Sequence, residues 1–335
     1  MVCGLPKSVI QKYFYKFKVP LRYKDVDSLI KLCSVPNYDT TTFPSKYTPF
    51  SLIQTKRAFE ECRKTEGVFT KAALEAESNL LEAAADMGDP TAISLLCASR
   101  MQPKSATADD MESGGKLLKQ LMDSKFALAF KVSGDLAYTM GHSKEALRLY
   151  EMAIENDLND DKLEVECFRN IGHIAFKDMQ LIKAREAFSN ACLLSGNTKQ
   201  VSDCHYLLAQ LREPDRIAAR QHLEVAASFG LRDAFLPLAS LLLNWFNEPL
   251  LAKQWFQLAE STDTTGAALI GSLDSSMRLK DNRGALEVMR RIRLRPDAES
   301  LLSYRRASIA KLDKPEPKKA VKTSSSSSSS TRWEF

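Results

Sequence analysis

The chain has few histidines, and its histidines, cysteines and acidic residues are not spaced as a metal site or a catalytic nucleophile requires. The histidines have no Cys, Asp or Glu at metal-ligand spacing on one helix face, apart from the adjacent Cys204 and His205, whose side chains point apart. We therefore predict structural roles for His142, His173, His205 and His222.

A phosphate-binding loop and a pair of catalytic carboxylates are also poorly supported by the sequence. Residues 111–118, MESGGKLL, place a glycine pair before Lys116, but the first glycine of a phosphate loop and the Ser or Thr after the lysine are missing. The acidic pairs Glu60–Glu61 and Asp160–Asp161 lie in charged surroundings typical of solvated helix faces. We predict no catalytic residue, no metal and no cofactor, and hence no enzyme.

The cysteines indicate a reducing compartment, such as the cytosol or the mitochondrial matrix. There are seven of them, with no CxxC pair, and Cys97, Cys167 and Cys192 fall at apolar helical positions typical of a core. The sequence contains no apolar run long enough for a membrane-spanning helix. The longest candidate, residues 235–246, is predicted to be a buried helix.

Charge is distributed unevenly. The chain has 47 basic and 42 acidic residues, yet residues 1–24 carry six cations and no acid, and residues 278–335 carry 15 cations against 7 acids. The region between them is therefore acidic. This pattern favours contact of both ends with an anionic surface, such as lipid headgroups or RNA. Uneven solvation of surface helices explains it equally well.

The N-terminal segment has the basic, acid-poor, amphipathic character of a mitochondrial presequence. It departs from that pattern by favouring Lys over Arg and by its tyrosines, and a disordered basic arm is the alternative. The prolines of residues 34–50 predict a linker, and helical periodicity begins near Phe50. The expected organisation is a presequence-like segment with linker over residues 1–49, a repeat domain over 50–312, and a disordered Lys-, Pro- and Ser-rich tail over 313–335.

A pattern of small and large residues recurs along the chain at nearly regular intervals. It consists of a small residue, Ala twelve positions later, a large residue four further on, and Ala after three more. Two successive segments match in full, and later segments match in the second half alone. The matching positions are Gly134, Ala146, Tyr150 and Ala153; Gly172, Ala184, Phe188 and Ala191; Ala219, Leu223 and Ala226; Ala252, Phe256 and Ala259; and, more loosely, Ala285, Met289 and Ile292.

These residue types predict stacked helical hairpins. A small residue on the first helix permits close crossing of the second, the large residue fills the space between helices, and the last Ala admits the next hairpin. Because one hairpin cannot bury its apolar face alone, the units must stack. The predicted fold is an all-α, right-handed superhelical solenoid of about seven hairpins and roughly fifteen helices.

The spacing resembles the tetratricopeptide repeat. Two further segments, EAAADMGDPTA at residues 82–92 and EVAASFGLRDA at residues 224–234, resemble the related Sel1 repeat, and Asp89–Pro90 is a good helix start. Longer stretches, at residues 77–96, 132–154 and above all 223–260, resemble the fungal mitochondrial tetratricopeptide family required for export of the C-terminal tail of cytochrome c oxidase subunit 2.

That resemblance implies a peripheral protein on the matrix side of the mitochondrial inner membrane. Its client would be newly made subunit 2, and its partners an Oxa-type insertase and export factors, with no small-molecule substrate. The chain would act as a scaffold or chaperone during complex IV assembly. The alternative is an RNA-binding helical-repeat protein of mitochondrial gene expression, which the varied first-helix residues and the acidic body oppose.

Two sets of contact residues are predicted. Apolar positions in one first helix are candidates for a client groove, with inter-repeat core as the alternative: Phe235, Leu238, Leu242 and Trp245. A basic helix face near the C-terminus is the candidate membrane contact: Arg290, Arg291, Arg293 and Arg295.

Overall fold

The computed structural model describes residues 6–35, 38–102, 106–211, 215–306 and 309–310. Within these ranges the chain forms α-helices and short 3₁₀ helices, without strands. The α-helices are α1 (Lys7–Lys16), α2 (Tyr23–Cys33), α3 (Pro49–Glu66), α4 (Lys71–Asp86), α5 (Pro90–Arg100), α6 (Ala108–Asp123), α7 (Ala127–Thr139), α8 (Ser143–Glu155), α9 (Asp161–Lys177), α10 (Leu181–Ser195), α11 (Ser202–Leu211), α12 (Arg216–Ser228), α13 (Phe235–Asn244), α14 (Pro249–Ala259), α15 (Ala267–Arg278), α16 (Asn282–Arg293) and α17 (Ala298–Leu302). The 3₁₀ helices are Thr40–Thr42, Lys199–Val201, Arg232–Ala234 and Ser303–Arg305.

The predicted all-α hairpin fold is confirmed. Fifteen of the described helices, α3 to α17, follow residue 48. Helices pack in consecutive pairs, including α3 with α4, α7 with α8, α9 with α10, α13 with α14 and α15 with α16. The chain divides into two compact units, Met1–Leu211 with α1 to α11 and Arg212–Phe335 with α12 to α17.

Local sequence sets where many helices begin. Thr48, Thr70 and Asp89 each accept a hydrogen bond from a backbone N–H of the first turn, which satisfies one of the unpaired donors there. At Thr107 the cap is reciprocal, because Asp110 accepts a bond from the backbone N–H of Thr107. The helix start predicted at Asp89–Pro90 is confirmed.

The turns inside two successive hairpins share one geometry. Gly141 between α7 and α8 has φ of 85°, and Met179, at the equivalent position between α9 and α10, has φ of 60°. A 2.8 Å backbone bond follows in each turn, from His142 N to Ala137 O and from Gln180 N to Ala175 O. Glycine suits this left-handed conformation, whereas methionine adopts it at a cost in free energy.

Helical packing begins well before residue 50. The side chains of Ile10 and Phe14 on α1 and of Val26 and Leu29 on α2 are buried in the same core cluster as Phe59 of α3. The predicted linker also packs, since Tyr47 is 4% exposed. The sequence did not reveal this, because residues 1–24 resemble a basic presequence and the prolines of residues 34–50 resemble a linker, so the apolar faces of α1 and α2 were not assigned to a core. The tail predicted over residues 313–335 lies outside the described residues.

In the described ranges no helix combines the length and apolarity needed to cross a bilayer. The apolar segment near residue 240 forms α13, whose Leu238, Leu242 and Leu243 are buried, as predicted. Cys97 and Cys167 are buried free thiols, and Cys192 is partly buried and also free.

Candidate interaction surface

The repeat residues form the contacts between helices. All of them that carry a side chain are buried, with at most 5% exposure. A Cβ atom placed on Gly134 would lie 2.9 Å from Cε1 of Tyr150, and one on Gly172 would lie 2.5 Å from Cδ1 of Phe188. Each glycine therefore admits the aromatic ring of its own hairpin. Within α13 to α15 the arrangement changes, because the ring of Phe256 packs on Gly271 of the following helix.

A series of polar side chains connects three helices of the Met1–Leu211 unit, α7, α9 and α11. We call this series the polar ladder. Its members are Lys131 and Asp135 on α7, Glu166, Arg169, Asn170 and His173 on α9, and Asp203 on α11.

The first part of the polar ladder joins α7 to α9. The Nζ atom of Lys131 lies 2.8 Å from an oxygen of Asp135 and 2.9 Å from one of Glu166. The hydroxyl of Tyr150 donates to Asp135 at 2.9 Å, and the Asn170 amide donates to that hydroxyl at 3.1 Å. A buried repeat residue thus fixes the position of two polar side chains.

The second part joins α9 to α11. One oxygen of Asp203 lies 2.7 Å from Nε of Arg169 and 2.9 Å from Nε2 of His173. The imidazole of His173 also packs edge-on against Phe188, with ring centroids 5.3 Å apart. Both parts leave their side chains partly exposed, for example 41% for Glu166 and 39% for Arg169.

Within the polar ladder the lysine and arginine side chains stay protonated and the carboxyl groups stay ionised, because each stabilises the charge of the other. Burial lowers the pKa of the Lys131 ammonium, but Asp135 and Glu166 outweigh it and raise the pKa above its usual value. Burial raises the pKa of Asp203, but hydrogen bonds from His173 and Arg169 outweigh this and hold the pKa at about 2. Each cation is neutralised locally, so the surface offers alternating donors and acceptors rather than a strong field.

Two pockets of mixed lining lie between helices of the Met1–Leu211 unit. One of about 330 Å³ lies between α8, α9 and α10, with Ile154, Phe168 and Ile171 as its apolar lining and Glu155 among its charged lining residues. Another of about 320 Å³ lies between α6, α7 and α8 and is lined by three methionines, Met101, Met122 and Met140. Methionine side chains adapt to varied partners. Neither pocket is lined by a member of the polar ladder, and on α7 and α9 the lining residues occupy the opposite helix face, so the pockets and the polar ladder are separate surfaces.

The predicted groove residues separate into two groups. Leu238 and Leu242 are both 0% exposed, so they cannot contact a client, and the prediction is corrected for them in favour of core. Phe235 is partly buried and packs against Trp255 at 5.5 Å. Trp245 is 63% exposed, and the guanidinium of Arg216 lies 4.5 Å from its ring centroid.

The predicted basic face of α16 is also divided. Arg290 and Arg293 are exposed. Arg291 forms an ion pair with Glu260, and Arg295 is held by Asp297 at 2.8 Å and by the carbonyl of Thr264 at 2.8 Å. Arg291 and Arg295 are therefore partly neutralised within the chain, whereas Arg290 and Arg293 are exposed, and membrane contact by this face stays a prediction.

Sequence reasoning missed the polar ladder, although a signal was present. Lys131 and Arg169 both stand three positions before the repeat glycine of their own hairpin. This recurrent basic position faces acidic residues on α9 and α11, Glu166 and Asp203 respectively. The role of Gly271 was missed because its ring partner precedes it in the chain instead of following it.

The residues first considered for chemistry take part in local pairs. His173 belongs to the polar ladder, His142 lies 3.9 Å from Glu145, and Lys116 pairs with Glu112 at 2.6 Å. Across the described ranges no three His, Cys, Asp or Glu side chains are grouped so that they could hold a metal ion.

One curated protein is similar to this chain over nearly its whole length. It is the protein named MSS2, mitochondrial, of Saccharomyces cerevisiae, with 25% identity over 329 residues, covering 92% of each chain. The resemblance identified in the sequence is thereby confirmed. A search against family models found no match.

Solved structures of helical-repeat proteins are also similar. A Sel1 repeat protein from Oxalobacter formigenes has 16% identity and a TM-score of 0.45, covering 76% of this chain and 97% of its own. Yeast Tom70 has 14% identity and a TM-score of 0.37, covering 91% of this chain and 73% of its own.

Proposed function

We propose that the protein is a non-enzymatic scaffold on the matrix face of the mitochondrial inner membrane. It binds newly made cytochrome c oxidase subunit 2 and assists export of its C-terminal domain, together with an Oxa-type insertase and export factors. The observation that carries the binding role is the open pocket of about 330 Å³ between α8, α9 and α10, which is lined by apolar and charged side chains. Similarity over 92% of the chain to a mitochondrial yeast protein supports the location.

The geometry suits an extended client segment. The amide of Asn170 and the carboxylate of Glu166 are held in place by neighbouring side chains, so little conformational entropy is lost when they bind a peptide backbone. The pocket lined by Ile154 and Phe168, on the opposite side of α9, would take apolar side chains from another part of the client. RNA binding is less compatible with this surface, because Lys131 and Arg169 are both neutralised by carboxylates.

Site-specific photocrosslinking during organellar translation tests the proposal. The photoreactive residue is placed at Glu155, which is exposed and lines the pocket between α8 and α10. The matched control is Glu112, an exposed glutamate on α6 that lines neither of the two pockets. We expect adducts with newly made subunit 2 from position 155 and not from position 112.

Adducts spread evenly over all new translation products would contradict a subunit 2 client. Adducts with RNA from position 155 would favour the alternative function in gene expression.

A further inference from the structure

The first two helices form a basic cleft, which is separate from the polar ladder and from the two pockets described above. The cleft has a volume of about 1150 Å³ and lies along α1, the connection after it, and the start of α2. Its lining includes the cations Lys7, Lys18, Arg22 and Lys24 and the aromatic rings of Tyr15 and Tyr23.

The cleft is a fixed part of the fold. Ile10 and Phe14 anchor α1 in the core that α3 shares, and Lys16 pairs with Glu61 of α3 at 3.1 Å. The Tyr47 hydroxyl donates to the backbone oxygen of Asp25 at 3.0 Å, which ties down the start of α2. The backbone positions that carry the cations are therefore fixed without a ligand.

The cleft remains strongly positive after its internal pairs are counted. Its acidic lining residue, Asp25, is bound by Lys46 at 2.6 Å. Lys7, Lys18, Arg22 and Lys24 are exposed, and among the described residues none of them forms a salt bridge. This differs from the polar ladder, where each cation is matched by a carboxylate.

We propose that this cleft binds the phosphate groups of anionic phospholipid headgroups and holds the protein against a membrane surface. Several lysines and arginines near an anionic bilayer each add to the attraction. Tyr15 is 90% exposed beside them, and tyrosine favours the boundary between headgroups and acyl chains. The proposal deepens the proposed function, on which it rests for the presence of a membrane partner.

The positions of the aromatic rings favour a membrane over single-stranded RNA as the ligand of the cleft. RNA binding of this kind needs several free ring faces on which bases stack. Here the ammonium of Lys7 lies 5.5 Å from the Tyr23 ring centroid, and that of Lys16 lies 5.9 Å from Tyr13 and 5.5 Å from Phe17. Tyr15 is left as one strongly exposed ring, which suits insertion among headgroups better than stacking of a strand.

Vesicle sedimentation with the full-length protein tests the proposal. The test variant is Lys18→Gln/Arg22→Gln/Lys24→Gln, and the charge-matched control replaces three exposed lysines outside the cleft, Lys12, Lys119 and Lys144, by Gln. We expect wild type and control to bind phosphatidylglycerol vesicles but not phosphatidylcholine vesicles. Since each cation contributes roughly fivefold, the test variant loses on the order of a hundredfold in affinity.

A second variant tests whether Tyr15 inserts among the lipid headgroups or whether vesicle binding depends on charge attraction alone. Tyr15→Ser changes no charge and removes an exposed ring, so it leaves the fold intact; we expect about a fivefold loss of vesicle binding. High salt is expected to release wild type, since the Debye length falls to about 3 Å at 1 M.

Equal losses in the test variant and the control would overturn the proposal. So would binding of inorganic phosphate or of an RNA oligonucleotide at the cleft without binding to vesicles. Purified protein and lipid suffice for these measurements, so their failure is distinguishable from failure of client crosslinking at Glu155.

Discussion

The close approach of Gly172 to Phe188 allows a graded test of the repeat packing. A Cβ atom at residue 172 would lie 2.5 Å from Cδ1 and 2.9 Å from Cζ of Phe188. The ring is 0% exposed and packs against His173 on its edge, so it has no free space into which to turn. Gly172→Ala therefore forces a shift of the ring or of a helix.

Two opposing effects set the magnitude. Overpacking of a filled core costs about 1–3 kcal/mol, whereas replacing a helical glycine with alanine gains about 1 kcal/mol. We expect Gly172→Ala to lower the free energy of unfolding by up to about 2 kcal/mol. Gly134→Ala should cost less, since its Cβ would lie 2.9 Å from the nearest atom of Tyr150. Leucine at either position should cost more than alanine.

Urea unfolding followed by circular dichroism measures these differences. The matched control is Gly115→Ala on α6, where a Cβ atom would have no neighbour within 4 Å, and which we expect to stabilise by about 0.5–1 kcal/mol. Combining Gly172→Ala with Phe188→Leu completes a double-mutant cycle. A coupling energy of at least about 1 kcal/mol is expected, because the smaller side chain leaves room for the methyl group.

Equal stability of the variants at residues 172 and 115 would refute the reasoning. So would additive effects in the cycle, since they would mean that the ring is not what excludes a side chain from residue 172.

Three other predictions concern charge and the N-terminal helices. The pKa of Asp203 in the folded protein is about 2, below the ordinary 3.8. Ionised Asp203 therefore adds about 2 kcal/mol to the free energy of unfolding above pH 4, and this contribution is lost as pH falls through 2. Asp203→Asn should lose this stability at pH 7 and show a flatter dependence of stability on pH in that range. Glu77→Gln should destabilise by about 3 kcal/mol, because Arg63, 8% exposed, would lose its bidentate partner, while Arg63→Met/Glu77→Leu should recover most of the loss in the same urea assay. Deletion of residues 1–34 should lower the thermal midpoint of unfolding, because it uncovers Phe59, and an unchanged midpoint would contradict this. For the same reason the protein isolated from mitochondria should retain α1 and α2. A mature form that begins near residue 35, identified by mass spectrometry, would contradict this.

Local rules were sufficient for the repeats. A glycine before an aromatic residue, with alanines at fixed offsets, identified Gly134, Tyr150, Gly172 and Phe188, and all four lie where helices cross. This pattern is readable because a helix fixes which residues share a face, so that periodicity alone reports the buried side. The helix start at Asp89 was readable for a similar reason, since capping involves residues three positions apart.

Burial and pairing between distant residues were not readable from the sequence. Leu238 and Trp245 were equivalent candidates in one apolar segment, yet Leu238 lies inside α13 and is 0% exposed, and Trp245 follows the end of α13 and is 63% exposed. Periodicity gives the buried face of a helix, but the neighbouring helices determine how wide that face is and where it ends. Likewise Arg290 and Arg291 are adjacent, and Arg291 alone of the two meets Glu260, which lies in the preceding hairpin.

The sequence by itself determined the helical repeats, their spacing and the absence of strand periodicity, because these depend on interactions within a few turns of the chain. The tertiary structure decided which charges remain available to a partner. Lys131 and Arg169 are neutralised by acids on neighbouring helices, whereas Lys18 and Lys24 keep a free charge beside an anchored helix pair. The physical reason is that a charge is neutralised by whichever opposite charge lies within about 4 Å, and residues far apart in the chain reach that distance through packing alone.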